Sequence, residues 1–215
     1  DVGFFGEGTP QQYIGFSPKP AFVSDKWMSH ATEFDAARAN SLLDEIGMKD
    51  TDGDGFRELP NGDKLVLNMS FATQGIAGQT VELVGQYWAD VGVQSVVKEV
   101  TPDEYRSAQS ANKLDVMMWR KSQPLAIVLG NNELWVPPFE NYFGVRTGML
   151  WAEWVDSNGA NGVEPPAYVK ELISDINAFQ SADQSSDEFK VLGERMVKNM
   201  VENLLFIGTV NAPAP

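Results

Sequence analysis

Between residues 34 and 119 the apolar positions switch back and forth between two periods. In "EFDAARANSLLDEIG" (33–47), Ala39, Leu42, Leu43 and Ile46 form one helical stripe, with Asp35 as N-cap and Gly47 as stop. "KLVLNMSFA" (64–72) instead alternates, placing Leu65, Leu67, Met69 and Phe71 on one side of a strand. "VELVGQYWADVG" (81–92) returns to helical spacing through Val84, Tyr87, Trp88 and Val91, ending at Gly92, and 93–100 reads as a second strand. Thr101, Pro102 and Glu104 then make a capping-box signature for another helix, and "LDVMMW" (114–119) is a third strand. Strand, helix, strand, helix, strand at these lengths predicts an α/β fold with right-handed crossovers and a largely parallel central sheet flanked by helices.

The flanks carry a different signal. Residues 1–30 have no period and contain Pro10, Pro18 and Pro20, which predicts an extended, loop-rich segment. From 121 to 148 the pattern dissolves around "WVPPF" (135–139); a span of that length without structure is expected to be functional or to meet a neighbouring domain. Two long helices follow. The first starts at Pro165–Pro166 and buries Val169, Leu172, Ile173, Ile176 and Phe179; the second is capped by Ser185 with Glu188 and carries Phe189, Leu192, Met196 and Met200. "LLFIGTV" (204–210) predicts a last strand, and "NAPAP" a frayed end.

Charge narrows the partners. With 16 Lys and Arg against 30 Asp and Glu, the formal charge is −14, which argues against nucleic acid or an anionic membrane surface. The chain has no cysteine, so disulfides, thiolate metal sites and cysteine nucleophiles are excluded. No apolar run reaches the roughly 18 residues of a spanning helix, so membrane insertion is not expected. The chain starts at Asp1 without a charged-then-apolar leader, and a mature or excised piece is expected.

One stretch imitates a metal loop. In "DTDGDGFRE" (50–58), Asp50, Asp52 and Asp54 would take the first, third and fifth calcium-ligand places, Phe56 would give its carbonyl, and Glu58 would take the ninth. The twelfth place, which needs a bidentate carboxylate, holds Asn61, and Pro60 and a strand follow in place of a helix. The simpler expectation is a polar turn joining helix to strand, with calcium as the alternative. His30 is the only histidine and has no partner at useful spacing, and neither a Gly-x-Ser-x-Gly elbow nor a phosphate loop is present, so nothing calls for an enzyme.

The order of segments resembles a known family. "FDAARANSLLDEIGMKDTDGDGFRE", "NGDKLVLNMSF", "WADVGVQSVVKEVTPDEYRS" and "LDVMMW" are together similar to the C-terminal lobe of the extracellular solute-binding proteins of family 5, the peptide, nickel and oligosaccharide receptors of ABC importers. "WAEWVDSNGANGVEPPAYVKELI" and "NLLFIGTV" resemble the closing part of that lobe, particularly in sugar- and opine-associated branches. The resemblance runs from about Phe34 to Val210. It implies a periplasmic-binding-protein-like lobe over 34–210, preceded by an irregular or inter-lobe segment (1–33) and followed by a frayed end (211–215). It also implies a periplasmic or otherwise extracytoplasmic protein, free or lipid-tethered in its full form. The partners implied are a small solute, an ABC permease and a missing N-terminal lobe.

Open α/β sheets bind ligands at the carboxyl ends of their strands. That rule points to Trp119, followed by Arg120, to Asn131, Asn132 and Trp135 in the loop beyond, and to Gln74 past the first strand. An indole face stacks on a ring, while Arg, Asn and Gln supply directional hydrogen bonds. The alternative is that Trp119 simply packs and Trp135 meets the missing lobe. Peptide-binding members place an Asp after the third strand to hold an α-amino group; here "WRKSQPLAIVLGNNELW" has none, and Arg120 and Lys121 are cationic. A saccharide or an opine-like solute is therefore expected over a plain peptide. The rival readings are a calcium-dependent interaction module and a metal-assisted hydrolase fragment.

Overall fold

The structure, a computed structural model, describes residues 8–73, 75–119, 123–139 and 146–211. In chain order these residues form β1 (Thr9–Pro10), α1 (Ala36–Glu45), β2 (Val66–Phe71), α2 (Gly78–Ala89), β3 (Gln94–Glu99), α3 (Pro102–Ser110), α4 (Leu125–Val128), α5 (Met149–Asp156), α6 (Ala167–Ser181), α7 (Asp187–Glu202) and β4 (Val210–Asn211). The chain divides into two compact units, Glu33–Arg120 and, joining both ends, Gly3–Thr32 with Lys121–Pro215. The unit boundaries fall at residues 32/33 and 120/121.

In the unit Glu33–Arg120, β2 and β3 pair in parallel, from Val66 opposite Gln94 to Phe71 opposite Glu99. The alternation read in β2 holds where it matters, because Met69 and Phe71 are buried with Val81 of α2. Ile76, Val84, Trp88, Val97, Val116 and Met118 close around them. Gly85 lets α2 lie close to β3, since a β-carbon there would come within 3.1 Å of the Ser95 hydroxyl and 3.2 Å of Val97. The capping box at α3 forms: Thr101 Oγ1 accepts from the Glu104 N–H at 3.2 Å, and the Glu104 carboxylate accepts from the Thr101 N–H at 2.9 Å.

Two expectations in this unit need correction. The third strand over 114–119 is reduced to a parallel bridge between Met69 and Val116. The reason lies in Asp115, whose carboxylate accepts the Asn68 backbone N–H at 2.9 Å and the Asn68 side-chain amide at 2.7 Å. A side chain thereby takes a donor that a regular ladder would give to a carbonyl. The stripe of α1 also stays largely uncovered: no residue of the helix is buried, and Leu42 and Ile46 are 51% and 62% exposed.

The other unit holds the larger core. The inner faces of α6 (Val169, Leu172, Ile176, Phe179) and α7 (Phe189, Leu192, Met196, Met200) pack together, with the Phe179 and Phe189 rings stacked at 4.2 Å. Ser186, one residue beyond the expected Ser185, caps α7, its hydroxyl accepting from the Phe189 N–H at 3.1 Å. The span 121–148, expected to be structureless, contains α4 and donates Val128, Leu134, Trp135 and Phe139 to this core. Its irregular backbone hid apolar residues that are buried one at a time and so have no period.

The strand expected over 204–210 is confined to Val210–Asn211, which pairs antiparallel with β1. Leu204 has a left-handed φ of 47°, and the Gly208 N–H donates to Gln12 Oε1 at 2.5 Å. Leu205 and Phe206 pack on the core instead of alternating along a ladder.

Candidate functional site

Trp119 stands at the carboxyl end of the parallel strands, three residues after the bridge at Val116. Its ring is half-buried and stacked on Tyr105, with centroids 5.9 Å apart and planes 28° from parallel. Tyr105 has no exposed surface, and it sits in the first turns of α3, whose start the Thr101–Glu104 box holds. Gly75, four residues past the end of β2, reaches the same ring. A β-carbon on Gly75 would lie 2.6 Å from Cη2 of Trp119 and closer still to Cζ3 and Cε3. Tyr105 and Gly75 are absent from the sequence-based site; the one local signal is "GIAG" (75–78), too short for a phosphate loop, whose glycines permit close approach.

The remaining candidates separate. Gln74 and Arg120 lie outside the described residues. Asn132 belongs to the other unit, where it is half-buried and its carbonyl accepts from the Trp135 N–H at 2.8 Å. The carboxamide of neighbouring Asn131 accepts from the Glu133 N–H at 2.8 Å, a local turn bond. Trp135 is corrected: it is a core residue with no exposed surface, 5.2 Å from the Phe16 ring. Its six-membered ring lies over Gly15, where φ is +76° and a β-carbon would come within 2.7 Å. An indole with no accessible face cannot stack on a solute, whatever its place in the sequence. Its buried Nε1 has no hydrogen-bond partner among the described residues.

The acidic connection is organised by its own chain. Asp50 accepts from the Gly53 and Gly55 N–H groups at 2.7 and 2.9 Å, Asp52 from Asp54 at 3.1 Å, and Asp54 from Phe56 at 2.9 Å. Glu58 is buried and accepts from the Thr51 N–H and hydroxyl at 2.8 and 2.7 Å. Carboxylate oxygens of Asp50, Asp52, Asp54 and Glu58 gather within 4.8 Å of one another. The Lys64 ammonium already lies among them, 2.9 Å from Asp52 and 2.5 Å from Asp54. Its hydrogen bond, followed by that of the Phe56 N–H, holds the Asp54 carboxyl below its ordinary value, and the two carboxylates push the lysine upward. Asn61, in the twelfth place, turns its amide to Asp63 at 2.7 Å. A shallow polar depression of about 410 Å³ adjoins this connection, and Arg57 at its wall is held by Asp44, Asn40 and the carbonyls of Met48 and Val91.

A small parallel sheet with helices makes a mixed α/β fold, of the periplasmic-binding-protein-like kind that its structural neighbours share. Comparison with known proteins places the chain within it. The profile of the bacterial extracellular solute-binding proteins, family 5 Middle, matches residues 1–125, and the chain belongs to that family. The periplasmic alpha-galactoside-binding protein of Rhizobium meliloti (strain 1021) is 27% identical over 192 residues, 83% of this chain and 25% of the relative. Among solved structures, an oligopeptide-binding protein OppA is 26% identical with a TM-score of 0.76, over 94% of this chain and 33% of that one. MelB of Agrobacterium fabrum C58, solved with stachyose, is 21% identical with a TM-score of 0.73, over 95% of this chain and 30% of that one. The chain therefore spans about a quarter to a third of these relatives' length. Membership places the protein outside the cytoplasmic membrane, in the periplasm or its equivalent. Among the described residues no helix is long and apolar enough to cross a membrane.

Proposed function

We propose that this chain is part of the solute receptor of an ABC importer, and that Trp119 forms one wall of its binding site for a saccharide. The observation that carries this is the half-buried Trp119 ring, backed by buried Tyr105 at the carboxyl end of a parallel sheet. One ring face is taken by the stack, and an apolar face of this kind suits the C–H side of a pyranose. Arg120 and Gln74, adjacent in sequence to Trp119 and Gly75, would add donors to solute oxygens. The galactoside-binding relative supports the saccharide class, as does the lack of an Asp after Trp119 to hold an ammonium. Opine-like solutes fit the same cationic pair of Arg120 and Lys121.

In this reading no covalent chemistry occurs. The solute is captured because it binds the closed receptor better than the open one, which shifts the hinge equilibrium, and the permease recognises the closed form. Calorimetric titration of the complete receptor tests the reading. Stachyose or a smaller α-galactoside should bind, and unmodified di- and tripeptides should not. Tight peptide binding with no response to sugars or opines would overturn it.

A further inference from the structure

We infer that Gly75 is a positioning residue that, together with Tyr105, sets the plane of the Trp119 ring; the inference rests on the reading of Trp119 as a solute contact. The need for glycine at this position comes from space and not from backbone conformation. Gly75 does not lie in the left-handed region, unlike Gly15, Gly92 or Gly148, so an alanine could adopt its φ without strain. Its N–H donates to the Ala72 carbonyl at 2.8 Å, which fixes the turn leaving β2. The direction of its missing β-carbon runs into Cζ3, Cε3 and Cη2 of Trp119. The neighbouring atoms belong to a rigid ring stacked on a second ring with no exposed surface, so neither can give way by a simple rotation.

Three parts of the chain thereby meet on one indole: the turn after β2 through Gly75, α3 through Tyr105, and the segment after Val116 through Trp119 itself. The consequence is a ring held at one angle before any solute arrives. Pre-setting an aromatic wall removes the rotamer entropy a free tryptophan would lose on binding, and it selects solutes whose flat face matches that angle. A turn residue with no side chain thus becomes a determinant of solute shape without touching the solute.

The test is a double-mutant cycle in the complete receptor, with stachyose as the probe. Gly75→Ala should weaken stachyose binding by about tenfold, the scale of one aromatic contact. On a Trp119→Ala background the same substitution should have no further effect, because no ring remains to displace. Near-ultraviolet circular dichroism of the solute-free receptor gives a second readout. Gly75→Ala should change the band that Trp119→Ala removes. Any loss of melting temperature caused by Gly75→Ala should not add to that of Trp119→Ala in the double variant. An unchanged Trp119 band, or an equal loss of affinity with and without Trp119, would overturn the positioning role. If Trp119→Ala binds stachyose as well as the parent, the solute reading fails, while a shifted Trp119 band in Gly75→Ala still upholds the positioning.

Discussion

Lys64 sits between Asp52 and Asp54, and this one ammonium determines how the acidic connection responds to its surroundings. Because its hydrogen bond lowers Asp54 below the ordinary aspartate value of 3.8, the pair stabilises the fold above that value, and the contribution is lost as pH falls through the lowered one. The lysine side of the pair has the opposite sign, present below 10.5 and lost only above it, so it does not alter the acid limb. Lys64→Met should therefore destabilise the protein at neutral pH, and the difference should shrink well below pH 3.8; urea titrations at both ends would show it, and a difference independent of pH would count against the pairing. Since the ammonium already pairs with two of the four carboxylates a cation would need, millimolar calcium or a chelator is expected to leave the melting temperature in place. A rise with calcium would revive the alternative first raised by Asp50, Asp52 and Asp54.

Helices α1 and α3 illustrate how local signals and packing diverge at the scale of the element. Helix α3 starts where Thr101 and Glu104 exchange hydrogen bonds, and that box also orients Tyr105 beneath Trp119. Thr101→Ala should cost about 1 kcal/mol of stability, read as a lower urea midpoint at unchanged slope. Helix α1 is equally plain in sequence, capped by the Asp35 carboxylate at 2.8 Å from the Arg38 N–H, yet it buries no residue. In this 215-residue chain its amides should exchange fastest of the long helices, and those of α6 and α7 slowest. Equal protection of α1 and α6 would contradict that order.

Stability at the scale of the molecule is concentrated in the unit built from both ends of the chain. Leu172 lies there with no exposed surface, among Val169, Ile176, Met196 and Met200. Leu172→Ala should cost about 2–5 kcal/mol through lost burial and the cavity left behind. Leu42→Ala, at a half-exposed position of α1, should stay within about 0.5 kcal/mol. Denaturant titration of both variants checks the contrast. Val128, Leu134, Trp135 and Phe139 join the same core, so residues 123–139 supply apolar mass beside that of the periodic helices.

Periodicity sufficed for β2, α6 and α7, because each buries a repeating face of its own, and the capping chemistry of Thr101 was complete within four residues. The location of the candidate site at the strand ends followed from the same pattern, and with it Trp119. Tertiary structure alone decided the rest. Asp115 took the donor that would have extended the third strand, and Gly208, folded against the backbone of Gln11–Tyr13, kept 204–209 from forming a ladder. Trp135 went into a core over Gly15, and Trp119 came to rest against Tyr105 and Gly75. Each of these outcomes depends on atoms far apart in the chain meeting within a few ångströms, and no local window of residues encodes that distance.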